Sequence, residues 1–414
     1  MPSFDPRDLI TAPYIDCPKC RSAAFGILRV GPGALLRRCR ECSHLQRFDL
    51  PRVRKAVIYL DQFVISNLML VRSQAKQVQQ FYHTLYSKLL HLSTLQAIVC
   101  PHSEAHLLES MVSSDAKHLR DGFEMFAHSV RFKEFDDIRA LQVFDRLAKW
   151  LANDPSTSCG VTRKNVLRGK PDIWVDRISI SVEMPPLPGI KDVWRDWRGK
   201  SQRGLVDVFE NTWKKQPERS WEYWRDREAK SWGPLLIPIY EREIEKWNDI
   251  VTGRRVPAGE HETRPHHFVW LINEIGDQIA SAGCPESEKY RMACIFLHSE
   301  VLAAAPFRQI AGSLYACLAK KAISQVKHPT EGFHSDVDVM SCLLPYCDAM
   351  FMDKETATYW REIQGTPSRR LPFETRVFSL SSKDEFLAYL DELERAVPAN
   401  QRRLATEVYG WQQS

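Results

Sequence analysis

Short apolar runs alternate with longer amphipathic segments over much of this chain. The runs at 56–60 and 97–100 are each followed by a segment whose apolar residues recur every three or four positions, at 74–95 and from 103 onward. Continuous apolar runs of this length are typical of strands buried on both faces, and the periodic segments are typical of helices. Because strands and helices alternate, we predict a parallel sheet joined by crossover helices.

The same alternation returns towards the C-terminal end of the chain. Helical periodicity covers 288–327, a further helix begins at Asp336, and an apolar strand follows at 349–352. A last strand is predicted at 375–380, and a final helix comes directly after it. These elements are predicted to complete the parallel sheet begun near the N-terminus.

Residues 114–289 interrupt the alternation. A helix is predicted at 136–152 and an alternating strand at 178–184, and 190–250 is helical in character and rich in tryptophan. The tryptophans and the basic residues between them suit either helix packing or stacking on single-stranded nucleic acid. We therefore predict a mainly helical insertion, which also offers a surface for a protein partner or a second copy of the chain.

Two cysteine pairs with the spacing of metal ligands stand near the N-terminus. Cys17 and Cys20 form one C-x-x-C pair and Cys39 and Cys42 form the other, with eighteen residues between the pairs. Two such pairs can complete a tetrahedron of thiolates around Zn²⁺. An apolar arm at 24–30 and a Gly-Pro-Gly turn predict a hairpin between them. We predict a structural zinc ribbon, since a redox C-x-x-C motif would need only one pair.

The pattern divides the chain into consecutive parts. They are a zinc ribbon at 1–50, the first part of an α/β domain at 51–113, the helical insertion at 114–289, the second part of the α/β domain at 290–397 and a flexible tail at 398–414. The α/β domain is thus predicted to be discontinuous.

Composition changes this picture little. The formal net charge of +5 permits a nucleic-acid partner without requiring one. Eleven cysteines without a secretory leader argue against a disulfide framework. No apolar run approaches the ~20 residues of a membrane span. We expect a cytoplasmic protein with no membrane partner.

Several basic residues are candidates for contact with a phosphate backbone. Arg37, Arg38 and Arg40 belong to an arginine-rich stretch of the ribbon, and Lys320 and Lys321 lie near the end of a predicted helix. Cations of this kind can lie along a nucleic acid or stabilise charge on a reacting phosphate. The alternative for the arginines is a solvated face or a surface that docks on the rest of the chain.

Carboxylates follow the predicted strands. Asp61 ends the first strand, and Asp348 and Asp353 bracket the strand at 349–352. Glu109 and Asp338 lie on predicted helices, with Glu104 as the rival of the first; Asp336 is interpreted as a helix cap. The carboxyl ends of parallel strands meet at one edge of a sheet, where ligands bind. Acids gathered there repel one another unless a hard cation neutralises them, so we predict an Mg²⁺ or Mn²⁺ site.

At this point the chain resembles PIN-domain-like nucleases. The resemblance is carried by Ile58-Tyr59-Leu60-Asp61, by Glu109, and by Asp338 followed by Leu344-Pro345-Tyr346-Cys347-Asp348 and Asp353. It implies an α/β/α sandwich around a parallel sheet and an Mg²⁺- or Mn²⁺-dependent ribonuclease, acting on RNA rather than DNA and as an endonuclease rather than an exonuclease. The catalytic residues that it implies are Asp61, Glu109, Asp338, Asp348 and Asp353, of which Asp61, Asp338 and Asp353 would bind the metal.

Other catalytic motifs are absent from the sequence. There is no G-x-x-x-x-G-K-[ST] loop, no G-x-S-x-G elbow and no H-E-x-x-H helix. Two alternatives to a nuclease stay open. One is a nucleic-acid-binding protein with a degenerate, non-catalytic PIN-like fold, and the other is an interaction scaffold built on the zinc ribbon.

Overall fold

The computed structural model describes residues 5–75, 77–112, 116–176, 190–257, 266–323, 328–330 and 332–410. Its strands are β1 Thr11–Ile15, β2 Phe25–Gly31, β3 Ala34–Cys39, β4 Leu45–Asp49, β5 Ala56–Leu60, β6 Ile98–Val99, β7 Arg131–Phe132, β8 Leu167–Arg168, β9 Ala349–Phe351 and β10 Arg376–Phe378.

Helices make up most of the rest of the fold. They are α1 Gln62–Arg72, α2 Gln80–Thr94, α3 Glu104–Val112, α4 Ala116–Ala127, α5 Phe135–Leu151, α6 Arg163–Val166, α7 Ile190–Val208, α8 Trp221–Val251, α9 His267–Ser281, α10 Lys289–Leu297, α11 Glu300–Ala303, α12 Pro306–Ala322, α13 Phe333–Leu343, α14 Lys354–Gly365, α15 Lys383–Ala396 and α16 Ala399–Tyr409. Short 3₁₀ segments lie at Pro6–Leu9, Glu286–Glu288, Leu344–Tyr346 and Leu380–Ser382, and a π-helical turn lies at Phe209–Trp213.

A parallel sheet with the strand order β10-β9-β5-β6 lies at the centre of the fold. All three strand pairings are parallel, and Leu60 of β5 is opposite Phe351 of β9. The parallel sheet predicted from the alternation of strands and helices is therefore confirmed. Along the chain, the connection from β5 leads outward to β6, whereas that from β9 leads to β10 on the other side. The two central strands thus flank a topological switch point, where open α/β sheets bind ligands.

Helices cover both faces of this sheet. The side chains of β5 alternate between two apolar cores: Val57 and Tyr59 pack with residues of α12, α13 and α14, while Ile58 and Leu60 pack with residues of α1, α2 and α15. All four side chains are at most 2% exposed. A strand buried on both faces has no polar side, which explains the continuous apolar run in the sequence.

The N-terminal residues form an antiparallel sheet with the order β1-β2-β3-β4. The hairpin predicted between the two cysteine pairs is β2 and β3, whose register places Phe25 opposite Cys39. Ile27, Val30 and Leu35 extend the apolar core of α1, α2 and α15. The ribbon is thus packed against the central domain, which supplies the apolar burial that so small a unit lacks.

The predicted flexible tail at 398–414 is wrong for most of its length. Residues 399–409 form α16, in which Ala405 and Val408 are fully buried. The side-chain amide of Gln401 donates to Leu95 O (2.9 Å), and Tyr409 Oη donates to Val175 O (2.7 Å). Pro398 is the N-cap of α16, a position that proline tolerates, so it begins a helix and does not end the ordered part of the chain. Residues 411–414 lie outside the described residues.

The region predicted as a helical insertion shares the core of the sheet. Phe209, Trp213, Trp221 and Trp224 belong to the same apolar cluster as Val57 of β5. All four of these aromatic rings are at most 2% exposed, so they pack helix against helix and offer no face to nucleic acid. The helix predicted at 136–152 is present as α5, and the strand predicted at 178–184 lies outside the described residues.

Two glycines allow helices of this region to approach closely. A Cβ atom on Gly312 of α12 would lie 2.8 Å from Arg225 O and 3.1 Å from Ala229 N, both in the backbone of α8. A Cβ atom on Gly233 of α8 would lie 2.0 Å from Leu297 O. The backbone of α8 therefore sits in direct contact with its neighbours, where no side chain fits.

Replacing Gly312 with alanine should lower the free energy of unfolding by about 1–3 kcal/mol, because the added methyl group would separate two packed helices. Urea unfolding followed by circular dichroism measures this change. Gly204→Ala in α7 is the matched control, since no described atom lies within 4 Å of its added carbon. The control should leave stability unchanged or raise it by up to about 1 kcal/mol. Equal responses of the two variants would contradict the close contact between α8 and α12.

Candidate functional sites: a cysteine cluster and an acidic sheet edge

Four cysteines converge at one end of the ribbon. The Sγ atoms of Cys17 and Cys42 are 3.6 Å apart, as are those of Cys20 and Cys39, and all four lie within 4.8 Å of one another. All four are free thiols. A tetrahedron with Zn–S bonds of ~2.3 Å places its sulfur atoms ~3.8 Å apart. The cluster could therefore hold a zinc ion.

The local backbone prepares these thiols for a metal. The residue after each C-x-x-C pair, Arg21 or Ser43, has a positive φ angle (61° and 56°), which closes each pair into a tight turn. Burial alone would raise the pKa of Cys39, but the hydrogen bonds it accepts from the backbone of Cys42 and from Ser22 outweigh burial and lower it to about 6. The backbone hydrogen bond from His44 lowers the pKa of Cys42, but burial and the neighbouring thiols outweigh it and raise that pKa to about 12, so at neutral pH Cys39 is the thiolate and binding of zinc would displace a proton from Cys42.

Cys39→Ser should lower both bound zinc and stability, because an alcohol is a poor zinc ligand and the ribbon has a small core of its own. Metal analysis of the purified protein and its melting temperature check this outcome. Cys284→Ser, at a half-buried thiol far along the chain that bonds Pro285 O and lies outside the cysteine cluster, is the matched control. A Cys39→Ser protein that retains as much zinc as the control would rule out the cluster as the zinc site.

The second site lies at the carboxyl edge of the central sheet. Asp61 follows β5 directly and Asp353 follows β9 after one residue, and Asp61 N donates to Phe351 O (3.0 Å). Both aspartates cap the helix that follows. Asp61 Oδ1 accepts from Gln62 N (2.5 Å), and Asp353 Oδ1 accepts from Glu355 N (2.6 Å). The switch point between the two strands thus brings together two acids that are remote in the sequence.

Two helices add further acids to this edge. Glu109 lies on α3 and Asp336 lies on α13. Together with Asp61 and Asp353 they line an open cleft of about 700 Å³, whose rim includes Lys354. We call these four carboxylates the acidic edge.

The carboxylates of the acidic edge interact strongly. Burial, followed by the charges of Glu109 and Asp353, raises the pKa of Asp61 to about 7. Burial also raises the pKa of Asp336 well above its ordinary value, and the charges of Asp353 and Asp61 add to this shift. Like charges in a poorly solvated cleft destabilise the ionised state, so the metal-free protein retains protons here near neutral pH.

A buried histidine connects the helix of Glu109 to the strand of Asp61. His106 Nε2 donates to Leu60 O (2.8 Å), and its Nδ1 accepts from Ser103 N (3.1 Å). The ring stacks between Tyr59 and Phe123, with centroids 4.9 and 4.6 Å away. Burial lowers the pKa of His106 to about 3, so the ring stays neutral and keeps both hydrogen bonds. Sequence reasoning missed this residue, because a lone histidine on a helix carries no distinct signal.

Two buried oxygen atoms of the cleft bear on whether the acidic edge suits a hard cation. Asp353 Oδ2 and Gln62 Oε1 are both buried, in residues that line the cleft, and neither accepts a hydrogen bond from a described residue while Asp336 is ionised; a protonated Asp336 would donate to Asp353. Carboxylate and amide oxygens are the donors that Mg²⁺ and Mn²⁺ prefer. Among the described residues, the four cysteines are the only group of three or more His, Cys, Asp or Glu residues whose ligand atoms lie within 4.8 Å of one another, so no three acids of the cleft meet this spacing in the metal-free structure.

Two of the acids predicted for the site are not part of the acidic edge. Asp338 accepts from Arg139 Nη2, and its neighbour two positions earlier, Asp336, faces the cleft instead. Residues two apart on a helix point about 200° away from each other, so only one of the pair can face the cleft. The structure therefore corrects two interpretations. Asp338 pairs with Arg139 and does not line the cleft, whereas Asp336 lies within α13 and is not its cap, which is Gly332.

Asp348 lies at the opposite edge of the sheet. Its Oδ2 atom accepts from Val57 N (2.7 Å) and pairs with Arg163 Nη2 (2.9 Å). The two acids that bracket β9 stand at opposite ends of a fully extended strand, so they cannot meet in one site. Glu104, the alternative to Glu109, has a structural role instead: its Oε2 atom accepts a hydrogen bond from Phe135 N (2.8 Å) at the start of α5.

The basic residues predicted to contact nucleic acid divide into two groups. Arg37 is 1% exposed and donates to Pro13 O and Glu407, so it docks the ribbon and is inaccessible to a phosphate. Arg40 donates to Ile10 O, and Arg38 is half-buried. Lys320 and Lys321, in contrast, lie at the end of α12 close to the helix that borders the cleft.

Comparisons of this chain with protein-family models, with curated proteins and with solved structures give no match. Within the described part of the chain, no helix has both the length and the apolar character needed to cross a bilayer.

The acidic edge predicts a dependence of stability on pH. The folded protein holds a proton on Asp61 up to about pH 7, whereas the unfolded chain releases it near pH ~3.9, so stability falls as pH rises between these values. Asp61→Asn keeps the helix cap and removes one charge. It should raise the free energy of unfolding at pH 8 by about 1–3 kcal/mol and flatten the fall in stability between about pH 4 and 7.

Urea unfolding at several pH values, in buffer without added Mg²⁺ or Mn²⁺, measures the effect of this substitution. Asp277→Asn, at an exposed carboxylate that pairs with Lys289 on the surface, is the control. The raised pKa of Asp61 would be contradicted if the free energy of unfolding changed with pH by the same amount in the wild type and in the Asp61→Asn variant.

Proposed function

We propose that this protein is a PIN-like nuclease that hydrolyses phosphodiester bonds with the help of Mg²⁺ or Mn²⁺. The observation that carries the proposal is the convergence of Asp61, Glu109, Asp336 and Asp353 at the switch point of a parallel sheet. RNA as the preferred substrate, endonucleolytic cleavage and a cytoplasmic location rest on the sequence alone and are part of the same proposal.

The electrostatics of the acidic edge favour a cation. Burial and the charges of neighbouring acids raise the pKa of Asp61 and of Asp336, and a divalent ion would remove that repulsion without requiring protons. Once Asp336 is ionised, the buried Oδ2 atom of Asp353 has no hydrogen-bond donor among the described residues, and together with the Oε1 atom of Gln62 it could bind such an ion. A bound Mg²⁺ or Mn²⁺ would lower the pKa of water and stabilise negative charge on the phosphate oxygens.

The protein's own residues would position these ligands before any metal arrives. The N–H groups of Glu355 and Thr356 hold Asp353 Oδ1 at 2.6 and 3.1 Å, which leaves its other oxygen directed away from the helix. His106 fixes the end of β5 relative to α3, and so fixes Asp61 relative to Glu109. Such preorganisation is what hydrolysis by a metal site requires, because misplaced ligands lose most of the rate.

The cleft also has the openness that a polymer needs. It is a groove of about 700 Å³ at the surface, not an enclosed pocket, so a chain could enter and leave without being threaded. Lys354 at the rim offers a positive charge beside the acids. These features favour a polymeric phosphodiester over a small phosphorylated metabolite, for which enclosed pockets are typical.

The test of this proposal is the cleavage of labelled single-stranded RNA and of DNA of the same sequence in the presence of Mn²⁺ or Mg²⁺. Asp61→Asn and Asp353→Asn should each lower the rate about 100-fold or more, because metal ligands are lost while both helix caps are kept. Asp277→Asn serves again as the charge-matched control and should cleave as the wild type does. A circular RNA distinguishes the two modes, since only an endonuclease can open it.

A second measurement does not depend on activity. Mn²⁺ should raise the melting temperature of the wild type and of the control variant but not of Asp61→Asn/Asp353→Asn, because binding to the folded state alone stabilises it. RNA binding without cleavage, unaffected by Asp61→Asn, would favour the non-catalytic binding protein. No binding of RNA or DNA at any salt concentration would favour the interaction scaffold.

A further inference from the structure

A group of cations lies on or next to three helices, α8, α12 and α14, that are separate in the sequence. It comprises Arg219 and Arg225 near the start of α8, Lys320 and Lys321 at the end of α12, and Arg369 just after α14. We propose that these residues, here called the basic surface, bind the phosphodiester backbone of a nucleic acid and guide it into the cleft. This inference rests on the proposed nuclease function and names the surface that holds its substrate.

A chain of contacts leads from the cleft to the basic surface. Glu355 lines the cleft, and Tyr359 Oη, one helical turn further on, donates to Glu355 Oε1 (2.6 Å). Lys321 Nζ lies 3.8 Å from the centroid of the Tyr359 ring. Lys320, its neighbour, donates to Arg219 O (3.0 Å). These contacts link α14, which borders the cleft, to the end of α12 and to Arg219, just before α8.

Aromatic rings hold the arginines of this surface in place. The guanidinium carbon atoms of Arg369 and Arg225 lie 5.0 and 5.6 Å from the centroid of Trp221, and that of Arg219 lies 4.5 Å from the centroid of Tyr223. Trp221 is buried, whereas Tyr223 is 37% exposed and could stack on a base. An arginine already held on a ring loses less freedom when it binds a phosphate.

Acids near this surface offset part of its positive charge, and one of them, Glu222, interacts electrostatically with Arg369 and Arg225. Three of them pair with its arginines, at side chains that are 41–64% exposed: Glu218, Asp226 and Glu362. Exposed pairs of this kind contribute little and exchange readily for another anion. Lys320 is held by a carbonyl oxygen, which does not neutralise its charge.

The acidic edge itself creates the need for such a surface. Four carboxylates repel an approaching polyanion within about one Debye length, which is ~8–10 Å at physiological salt. Cations within that distance offset the repulsion and raise the local concentration of the polyanion. The basic surface stands where a chain entering the cleft over α14 would pass, so it supplies this attraction on one side of the acids.

The test uses the variant Arg219→Gln/Lys320→Gln/Lys321→Gln, in which glutamine retains part of each aliphatic stem and a donor. Fluorescence anisotropy with a labelled single-stranded RNA, without added Mg²⁺ or Mn²⁺, measures binding in the full chain. The affinity should fall about tenfold or more at 0.1 M salt, and the slope of log K against log salt should shrink by about 2, at ~0.7 for each lost phosphate contact.

The matched control removes three charges from the other end of α8, by Arg242→Gln/Lys246→Gln/Arg254→Gln. The first of these residues, Arg242, lies ~25 Å along α8 from Arg225, and the other two lie further away. The control should therefore bind RNA as the wild type does. A labelled duplex is run beside the single strand, and a salt-dependent loss with either form supports the proposal. If the triple variant does not fold, Arg219→Gln alone, at a side chain 47% exposed, should still reduce the slope measurably.

The outcomes separate this proposal from the proposed activity. Equal affinity and equal salt slope of the basic-surface variant and the control would overturn the basic surface even if the wild type cleaves RNA. Loss of binding in the basic-surface variant alone would support it even if no cleavage is observed with any metal. A wild-type protein that binds neither the single strand nor the duplex would overturn it as well.

Discussion

Repulsion among the carboxylates of the acidic edge is the constraint to which the rest of the structure responds. Two of these acids end adjacent parallel strands and two stand on helices packed over the strand ends, so the sheet itself forces them together. The protein lowers the repulsion by retaining protons, as the raised pKa values of Asp61 and Asp336 indicate. A cleft that tolerates such a cost is more readily explained by a ligand than by stability, since neutral residues would fold better.

The surrounding residues show how strongly the geometry of this edge is fixed. Asp61 and Asp353 use one oxygen each as a helix cap, and His106 joins α3 to β5 through a hydrogen bond at each ring nitrogen. The basic surface then lies outside this rigid frame, on helices held together by the close approach of α8 to Gly312. Rigid acids and nearby cations are the two components that a site for polymeric phosphates needs.

Sequence reasoning predicted the elements well where a local pattern determines them. The apolar runs gave β5, β6, β9 and β10, and the cysteine spacing gave the ribbon, because burial on both faces and thiolate spacing are properties of short segments. It chose Asp338 over Asp336, since the face of a helix that meets a cleft depends on packing against other elements. Asp348 misled for a related reason: it is next to the same strand as Asp353 but precedes it, and so stands at the strand's opposite end. The role of α16 was missed because a short amphipathic helix after a proline resembles a solvated tail until its partners are known.

The pairing of Arg37 with Glu407 has a consequence for the order of folding. The two residues are 370 positions apart, and the bond joins the ribbon to α16. Contacts of such long range form late, because the chain between them must first be ordered. The ribbon, in contrast, closes over a loop of only 25 residues between Cys17 and Cys42 and can take up its ion early. If its cysteines bind zinc, the N-terminal unit can therefore fold before the rest of the domain, and its apolar side, with Ile27, Val30 and Leu35, would be exposed until α1, α2 and α15 cover it.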